Sequence, residues 1–161
     1  MSDSDVAWSE FSERLVAAFR VVSDRVFLIV SLRENSRVYV QFAGGSDALF
    51  AEAPGVAVVA GIDEAGLADA GWAAPSAGQP NWSFELPLPA LTSEYSALAE
   101  RCVVALRDVF GVTDPGQLVY RAWREAEAFP QGATLYPEQI EALDKGEDPL
   151  EISQLGLTAA S

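Results

Sequence analysis

Histidine is absent from this sequence of 161 residues, and cysteine occurs once, as Cys102. Without histidine the chain lacks the commonest general base and the commonest metal ligand of proteins. A single cysteine excludes an intrachain disulfide, a thiol pair and a cysteine-based zinc site. A carboxylate pair assembled from distant residues is the remaining catalytic alternative. We therefore expect a protein that is not an enzyme and that holds neither a metal nor a cofactor.

Long apolar runs are absent as well. No run approaches the roughly 20 residues that span a bilayer. The first ten residues, MSDSDVAWSE, lack the basic and apolar regions of a secretion signal. These absences predict a cytoplasmic protein that does not bind membranes.

Basic residues are scarce. The chain has 10 Lys and Arg against 24 Asp and Glu, which gives a formal net charge of −14. Phosphate backbones would repel so acidic a chain, which argues against a nucleic-acid partner. The charge favours a protein or peptide partner with a basic segment instead. Apolar residues make up 50% of the chain, enough for a single domain of this length to bury its own core.

The first third of the chain predicts a helix followed by three strands. Apolar residues at spacings of 3 and 4 indicate an amphipathic helix with Ser4 or Asp5 as its N-cap. The residues of this stripe are Trp8, Phe11, Leu15, Phe19 and Val22. The apolar run 26–32 favours a central strand that is covered on both faces. Segments 38–42 and 49–53 alternate in polarity after short turns, so the three strands form an antiparallel meander.

The second half predicts two further helices and two further strands. A short helix over 62–70 ends at Gly71, while the run 56–61 before it fits either a strand or a buried helix. Segment 81–87 alternates and is closed by proline, which is typical of an edge strand. A long helix with Thr92 as its N-cap then ends before Gly111, and a last strand follows over 117–123.

Cys102 lies in the apolar stripe of that long helix. Because no histidine is present to activate the thiol, we interpret Cys102 as a small buried hydrophobe rather than a nucleophile.

These elements predict an α+β fold in the order α-β-β-β-α-β-α-(β), with an antiparallel sheet and helices packed on one of its faces. The predicted domain covers residues 1–124. Residues 125–161 form an acidic C-terminal tail with a short helix near 137–145. We expect the tail to be loosely attached and to dock through its apolar residues, which are Leu150, Ile152, Leu155 and Leu157.

Two groups of side chains are candidates for binding an extended peptide. Trp72 and Trp82 flank a Gly/Pro-rich connection, and Phe84 alternates with Trp82 in the edge strand. These rings either cover the open edge of a small core, which is the favoured interpretation, or they shape a peptide groove.

The second group lies on the strand face opposite to Val38, Val40 and Phe42. If the helices cover only one face of the sheet, the other face must meet water or a partner. Gln41 could then bond a peptide backbone, while Tyr39 and Phe50 supply apolar contact. The alternative is a covered face in which Gln41 is bonded internally.

The ordered set of residues resembles bacterial type III secretion chaperones, and more narrowly the actinobacterial TY-Chap family, which groups type III secretion chaperone-like and YbjN-like domains. The matching pieces are Trp8 with Phe11 and Leu15, the strand 38–42, residues 51–53, Gly71-Trp72 followed by Pro75, and Asn81-Trp82. Together they cover roughly residues 6–123, and the tail is unmatched.

This resemblance implies a non-catalytic chaperone or adaptor that holds an extended partner segment without ATP, on apolar patches and strand edges. It also implies a homodimer and supplies no catalytic residues. Two alternatives stay open on the residues alone. One is an acidic inhibitor or immunity-type protein that blocks a basic partner, and the other is a sensor domain that binds a small molecule between Trp72 and Trp82.

Overall fold

The computed structural model describes residues 2–129, 132 and 134–160. Its helices are α1 (Asp3–Phe19), α2 (Glu64–Ala70), α3 (Thr92–Val103), which continues as a π-helical turn (Val104–Val109), and α4 (Pro137–Glu141). Its strands are β1 (Val26–Leu32), β2 (Asn35–Gly44), β3 (Ala48–Ala53), β4 (Trp82–Pro87), β5 (Leu118–Arg124) and β6 (Thr158–Ala159). The predicted α+β class and element order are confirmed, while the undecided segment 56–60 forms turns rather than a strand or helix.

The six strands form one sheet in the order β4-β3-β2-β1-β5-β6. The predicted meander β1-β2-β3 is antiparallel, as are the pairs β1-β5 and β3-β4. Only β6 departs from this pattern, because it runs parallel to β5. Strand β1 is central, as expected, but the prediction that both its faces are covered is wrong. Val26, Leu28 and Val30 are buried, whereas Phe27 and Ile29 on the other face are half-buried.

The core lies between one face of this sheet and the helices. Every residue of the predicted α1 stripe is at most 3% exposed. Phe19 of α1 contacts Phe42 of β2, with ring centroids 4.9 Å apart. Leu98 and Leu106 continue the same core from α3 and its π-helical turn, both at 0% exposure.

The helix ends correct two predictions. Ser2, not Ser4 or Asp5, caps α1, because Ser4 and Asp5 already lie in its first turn and the Asp5 N–H donates to Ser2 Oγ at 3.2 Å. Helix α3 has Leu91 at its N-cap position and Thr92 as its first residue. Gly71 ends α2 with φ of +102°, the left-handed conformation predicted for it.

The chain returns to the outer edge of β5 after that strand ends. The Arg124 N–H donates to the Glu147 carbonyl at 2.8 Å, and the Glu147 N–H donates to the Arg124 carbonyl at 2.9 Å. The Leu150 N–H donates to the Ala122 carbonyl at 2.8 Å. With β6 beyond them, these bonds close this edge of the sheet.

Two side chains anchor the C-terminal segment in the core. Ile152 and Leu155 are 1% and 0% exposed, and the Ile152 N–H donates to the Tyr120 hydroxyl at 3.1 Å. The expectation of loose attachment is therefore wrong here, because both side chains complete the core beside α1. The division of the chain at residue 125 stays a prediction, and residues 1, 130, 131, 133 and 161 lie outside the described residues.

Candidate functional site

One face of the sheet carries no helix from the core. We call it the open sheet face. Its side chains alternate with the core residues of the strands, and they include Phe27, Ile29, Tyr39, Gln41, Ala43, Phe50, Glu52, Arg121 and Trp123. The apolar members lie outside the hydrophobic core cluster, and Phe50 is 41% exposed. Tyr39, Gln41 and Phe50 lie on the face away from the core, as strand alternation predicted.

Polar groups sit beside these apolar ones on β2 and β3. Asn81 Nδ2 donates to Glu52 Oε1 at 3.1 Å and to the Tyr39 hydroxyl at 3.3 Å. Burial raises the pKa of Tyr39, and the neighbouring Glu52 carboxylate raises it further, while the hydrogen bond from Asn81 lowers it. The tyrosine thus stays neutral at neutral pH and presents its ring and hydroxyl to the open sheet face.

Ala43 makes a hollow in this face. Its neighbours across the strands are the larger Phe27 and Phe50, so a methyl group stands between two phenyl rings. The resulting pocket has a volume of about 160 Å³ and is lined by Phe27, Ile29, Gln41, Phe42, Ala43, Glu52 and Trp123. We call it the Ala43 pocket. It offers aromatic walls, one amide and one carboxylate to a side chain from outside.

The far wall of the pocket is a stack of rings. Phe27 and Trp123 pair across β1 and β5, with centroids 5.3 Å apart and planes 11° from parallel. The Arg121 guanidinium lies 4.5 Å from the Trp123 ring centroid and donates to Asp148 Oδ2 at 3.3 Å. Both ring–ring and cation–ring contacts favour a fixed orientation of the indole.

Trp72, Trp82 and Phe84 are not brought to this face. Trp72 and Trp82 are 4% and 7% exposed and belong to the core cluster. Trp72 Nε1 donates to the Arg101 carbonyl at 3.3 Å, and Phe84 lies under the Arg101 guanidinium, 4.0 Å from its ring centroid. These rings therefore pack in or against the core. Of the six candidate residues, Tyr39, Gln41 and Phe50 lie on the open sheet face and the other three do not.

The edges of the sheet are largely occupied. The C-terminal segment pairs with β5, as described above. On the opposite edge, Ala73 and Ser83 exchange backbone hydrogen bonds of 2.8 and 3.0 Å, and Pro87 has no N–H to offer. Strand edges thus leave little room for an added strand, although the family resemblance implied such a mode.

Other groups of interest lie on the helix side. A hollow of about 260 Å³ between α1 and α3 is lined by Trp8, whose buried Nε1 has no partner among the described residues. Its rim includes Glu13 and Glu100. Cys102 is fully buried, and burial raises the pKa of its thiol. Across residues 2–129, 132 and 134–160, no three His, Cys, Asp or Glu side chains group as metal ligands would. No helix in that part of the chain has both the length and the apolar character to cross a bilayer.

A sheet with helices packed on one face is the architecture of a chaperone-like α+β domain. The chain belongs to a family described as T3SS (YopN, CesT) and YbjN peptide-binding chaperone 3, whose model matches residues 2–124. Searches of curated proteins and of solved structures returned no match. The match ends at the last residue of β5 and leaves the C-terminal segment outside it.

Sequence reasoning missed the ring pair Phe27 and Trp123. Both residues occupy alternate positions in strands whose other face was correctly assigned to the core. The signal for Trp123 was present. Trp123 follows Ala122, which was assigned to the core face, and adjacent residues of a strand point to opposite faces. The signal for Phe27 was hidden, because every neighbour of Phe27 in the run 26–30 is apolar too.

Proposed function

We propose that this chaperone-family protein captures an extended segment of a client protein across the open sheet face, without ATP and without catalysis. The observation that supports this is a face of half-buried apolar side chains and the exposed Phe50, outside the core, on a sheet whose edges are largely occupied. Tyr39 and Phe50 supply apolar contact, and Gln41 bonds the client backbone through its amide. The net charge of −14 favours a client segment that is basic.

The test compares the native chain with variants that change the open sheet face and leave the core intact. Phe50→Ala removes an exposed ring, and Phe129→Ala, at a phenylalanine that is 52% exposed in the C-terminal segment, is the matched control. Tagged full-length chains are used to capture partners from host extract at low and high salt. Captured partners are identified by mass spectrometry, and their contact segments are mapped with overlapping synthetic peptides.

We expect one partner or a small set at both salt concentrations, with binding confined to a contiguous peptide. Phe50→Ala should lower the affinity for that peptide about tenfold, as expected when an aromatic side chain that the peptide covers is removed. Phe129→Ala should leave the affinity unchanged. Equal binding by both variants would overturn the proposed site. A folded basic partner that is lost at high salt would point to an inhibitor instead.

The homodimer and the cytoplasmic location stay predictions. Light scattering of the purified chain tests the first, since a mass of 17.2 kDa that does not change with concentration would contradict a dimer. Fractionation of host cells tests the second.

A further inference from the structure

The Ala43 pocket contains one carboxylate that has no cationic partner. Glu52 Oε1 accepts a hydrogen bond from the neutral Asn81 amide. Among residues 2–129, 132 and 134–160, no arginine or lysine forms an ion pair with Glu52; the pairs found there join other residues. A half-buried carboxylate with a neutral partner is an unbalanced negative charge, and it attracts a cation from outside.

The cation in the same row of this face is already engaged. Arg121, Ile29, Gln41 and Glu52 form one row across β5, β1, β2 and β3. Arg121 therefore lies three strands away from Glu52. It pairs with Asp148 and stacks on Trp123.

The remaining lining suits the stem of a long basic side chain. Phe27 and Ile29 are apolar walls against which methylene groups pack, and the Gln41 amide oxygen can accept a hydrogen bond from a cationic head. An anionic side chain would be repelled by Glu52. A purely apolar one would cover the carboxylate and the amide without bonding either, which is unfavourable.

We propose that the Ala43 pocket selects one cationic side chain, arginine or lysine, of the bound client segment. Glu52 pairs with its charge, and Phe27 and Ile29 hold its stem. This inference rests on the proposed function, because it assigns the side chain that the client places at one point of the open sheet face.

The test measures peptide binding to the purified full-length chain by fluorescence anisotropy. The probes are labelled dodecamer mixtures, randomised over neutral residues, in which one central position is arginine, lysine, citrulline or norleucine. Citrulline has nearly the shape of arginine without its charge. The variant Glu52→Gln keeps an oxygen acceptor for Asn81, and Glu34→Gln, at the exposed turn between β1 and β2, removes the same charge elsewhere.

On the native chain we expect the arginine and lysine mixtures to bind about tenfold more tightly than the citrulline mixture, as for a charge-assisted hydrogen bond. The ratio should fall to about one on Glu52→Gln and persist on Glu34→Gln. Ala43→Leu, which fills the pocket and leaves Glu52 in place, should remove the ratio as well and serves if Glu52→Gln does not fold.

The remaining outcomes separate the two proposals. Binding of all mixtures with equal affinity to the native chain would overturn the cation selection and leave the proposed function standing. A preference for arginine that survives in Glu52→Gln and Ala43→Leu would overturn the assignment to this pocket. Failure of every mixture while the mapped client peptide still binds would overturn the cation selection alone. Failure of the mixtures and of the mapped client peptide would overturn the proposed function and this inference with it.

Discussion

Phe27 and Trp123 stack with ring centroids 5.3 Å apart on the side of the sheet that faces away from the helices. Aromatic rings on a protein surface are costly to hydrate unless a partner covers them. Here the stack forms the wall of a pocket whose floor is the small side chain of Ala43. This relationship defines a place where a client side chain can be enclosed, and it is the basis for the first prediction.

Filling the pocket should weaken client binding and leave the fold in place. Ala43→Leu adds three carbon atoms above the open sheet face, where the core does not resist them. We expect about a tenfold loss of affinity for a mapped client peptide, with the free energy of unfolding changed by less than about 1 kcal/mol. Anisotropy and urea denaturation measure the two quantities. Ala97→Leu, on the exposed side of α3, is the control, and an equal loss of affinity in both variants would contradict the pocket.

Truncating the anchor of the C-terminal segment should destabilise the whole protein. Ile152 is 1% exposed, whereas Ile140 of α4 is 46% exposed. We expect Ile152→Ala to lower the free energy of unfolding by about 2–5 kcal/mol, and Ile140→Ala by less than about 0.5 kcal/mol. Urea denaturation followed by tryptophan fluorescence measures both. Similar small losses would mean that the segment contributes little to the folded core.

Acid should remove one interaction of that segment. Asp144 Oδ2 accepts from Arg124 Nε at 2.6 Å and from Arg25 Nη1 at 3.0 Å. The Arg124 hydrogen bond, with one from the Gly146 N–H, holds the pKa of Asp144 well below its ordinary value. The unfolded chain therefore takes up this proton at a higher pH than the folded chain. The interaction stabilises the fold above about pH 4 and is lost as the pH falls toward the folded pKa.

The corresponding experiment compares native chain and Asp144→Asn by urea denaturation at pH 6 and pH 3. The stability difference between them should be largest at pH 6 and shrink at pH 3. Asp69→Asn, at an exposed position of α2, controls for general charge effects. A difference that stays constant between the two pH values would refute the role of this carboxylate.

Gly44 should tolerate no side chain. A Cβ at this position would overlap with the Ser23 carbonyl oxygen, which is backbone and cannot move aside alone. We expect Gly44→Ala to destabilise the protein by about 1–3 kcal/mol or more. At the neighbouring Gly45 the nearest atoms to a Cβ are 3.1 and 3.3 Å away, so Gly45→Ala should cost less. Thermal denaturation ranks the two, and the reverse order would contradict the packing of the α1–β1 turn on β2.

Cys102 should not react in the native state. It is fully buried, and burial raises the pKa of its thiol, so little thiolate is present at neutral pH. We expect a thiol reagent to label the unfolded chain within minutes and the native chain only at the rate of unfolding. Rapid labelling of the native chain would restore Cys102 as a candidate nucleophile.

The pattern of the sequence was enough to predict the order of elements but not everything that packs around them. Alternation in 38–42 placed Val40 in the core and Tyr39 on the other face, because successive strand residues must point to opposite sides. The C-terminal segment defied this logic. Ile152 and Leu155 were expected to dock, but the loose attachment expected for the segment was wrong, because both side chains fill a gap beside α1 that only the assembled core defines.

The candidate site was predicted only in part, because strand alternation identifies the face of a residue but not its neighbours from distant segments. The positions of Tyr39, Gln41 and Phe50 follow from strand alternation. For Trp72 and Trp82 the sequence favoured packing over a groove but left both open. Their burial depends on Arg101 and Glu64, which are distant in the chain and contact them only in the fold. Pocket formation at Ala43 likewise needs the register that sets Ala43 beside Phe27 and Gln41 beside Glu52.

The most direct test of client capture on the open sheet face is photo-crosslinking in the host. A benzophenone amino acid replaces Phe50 on that face, or Leu91, which is 68% exposed at the start of α3. We predict a covalent adduct with a single client from position 50 and none from position 91. An adduct from position 91 alone, or from neither position while the client still co-purifies, would contradict the account.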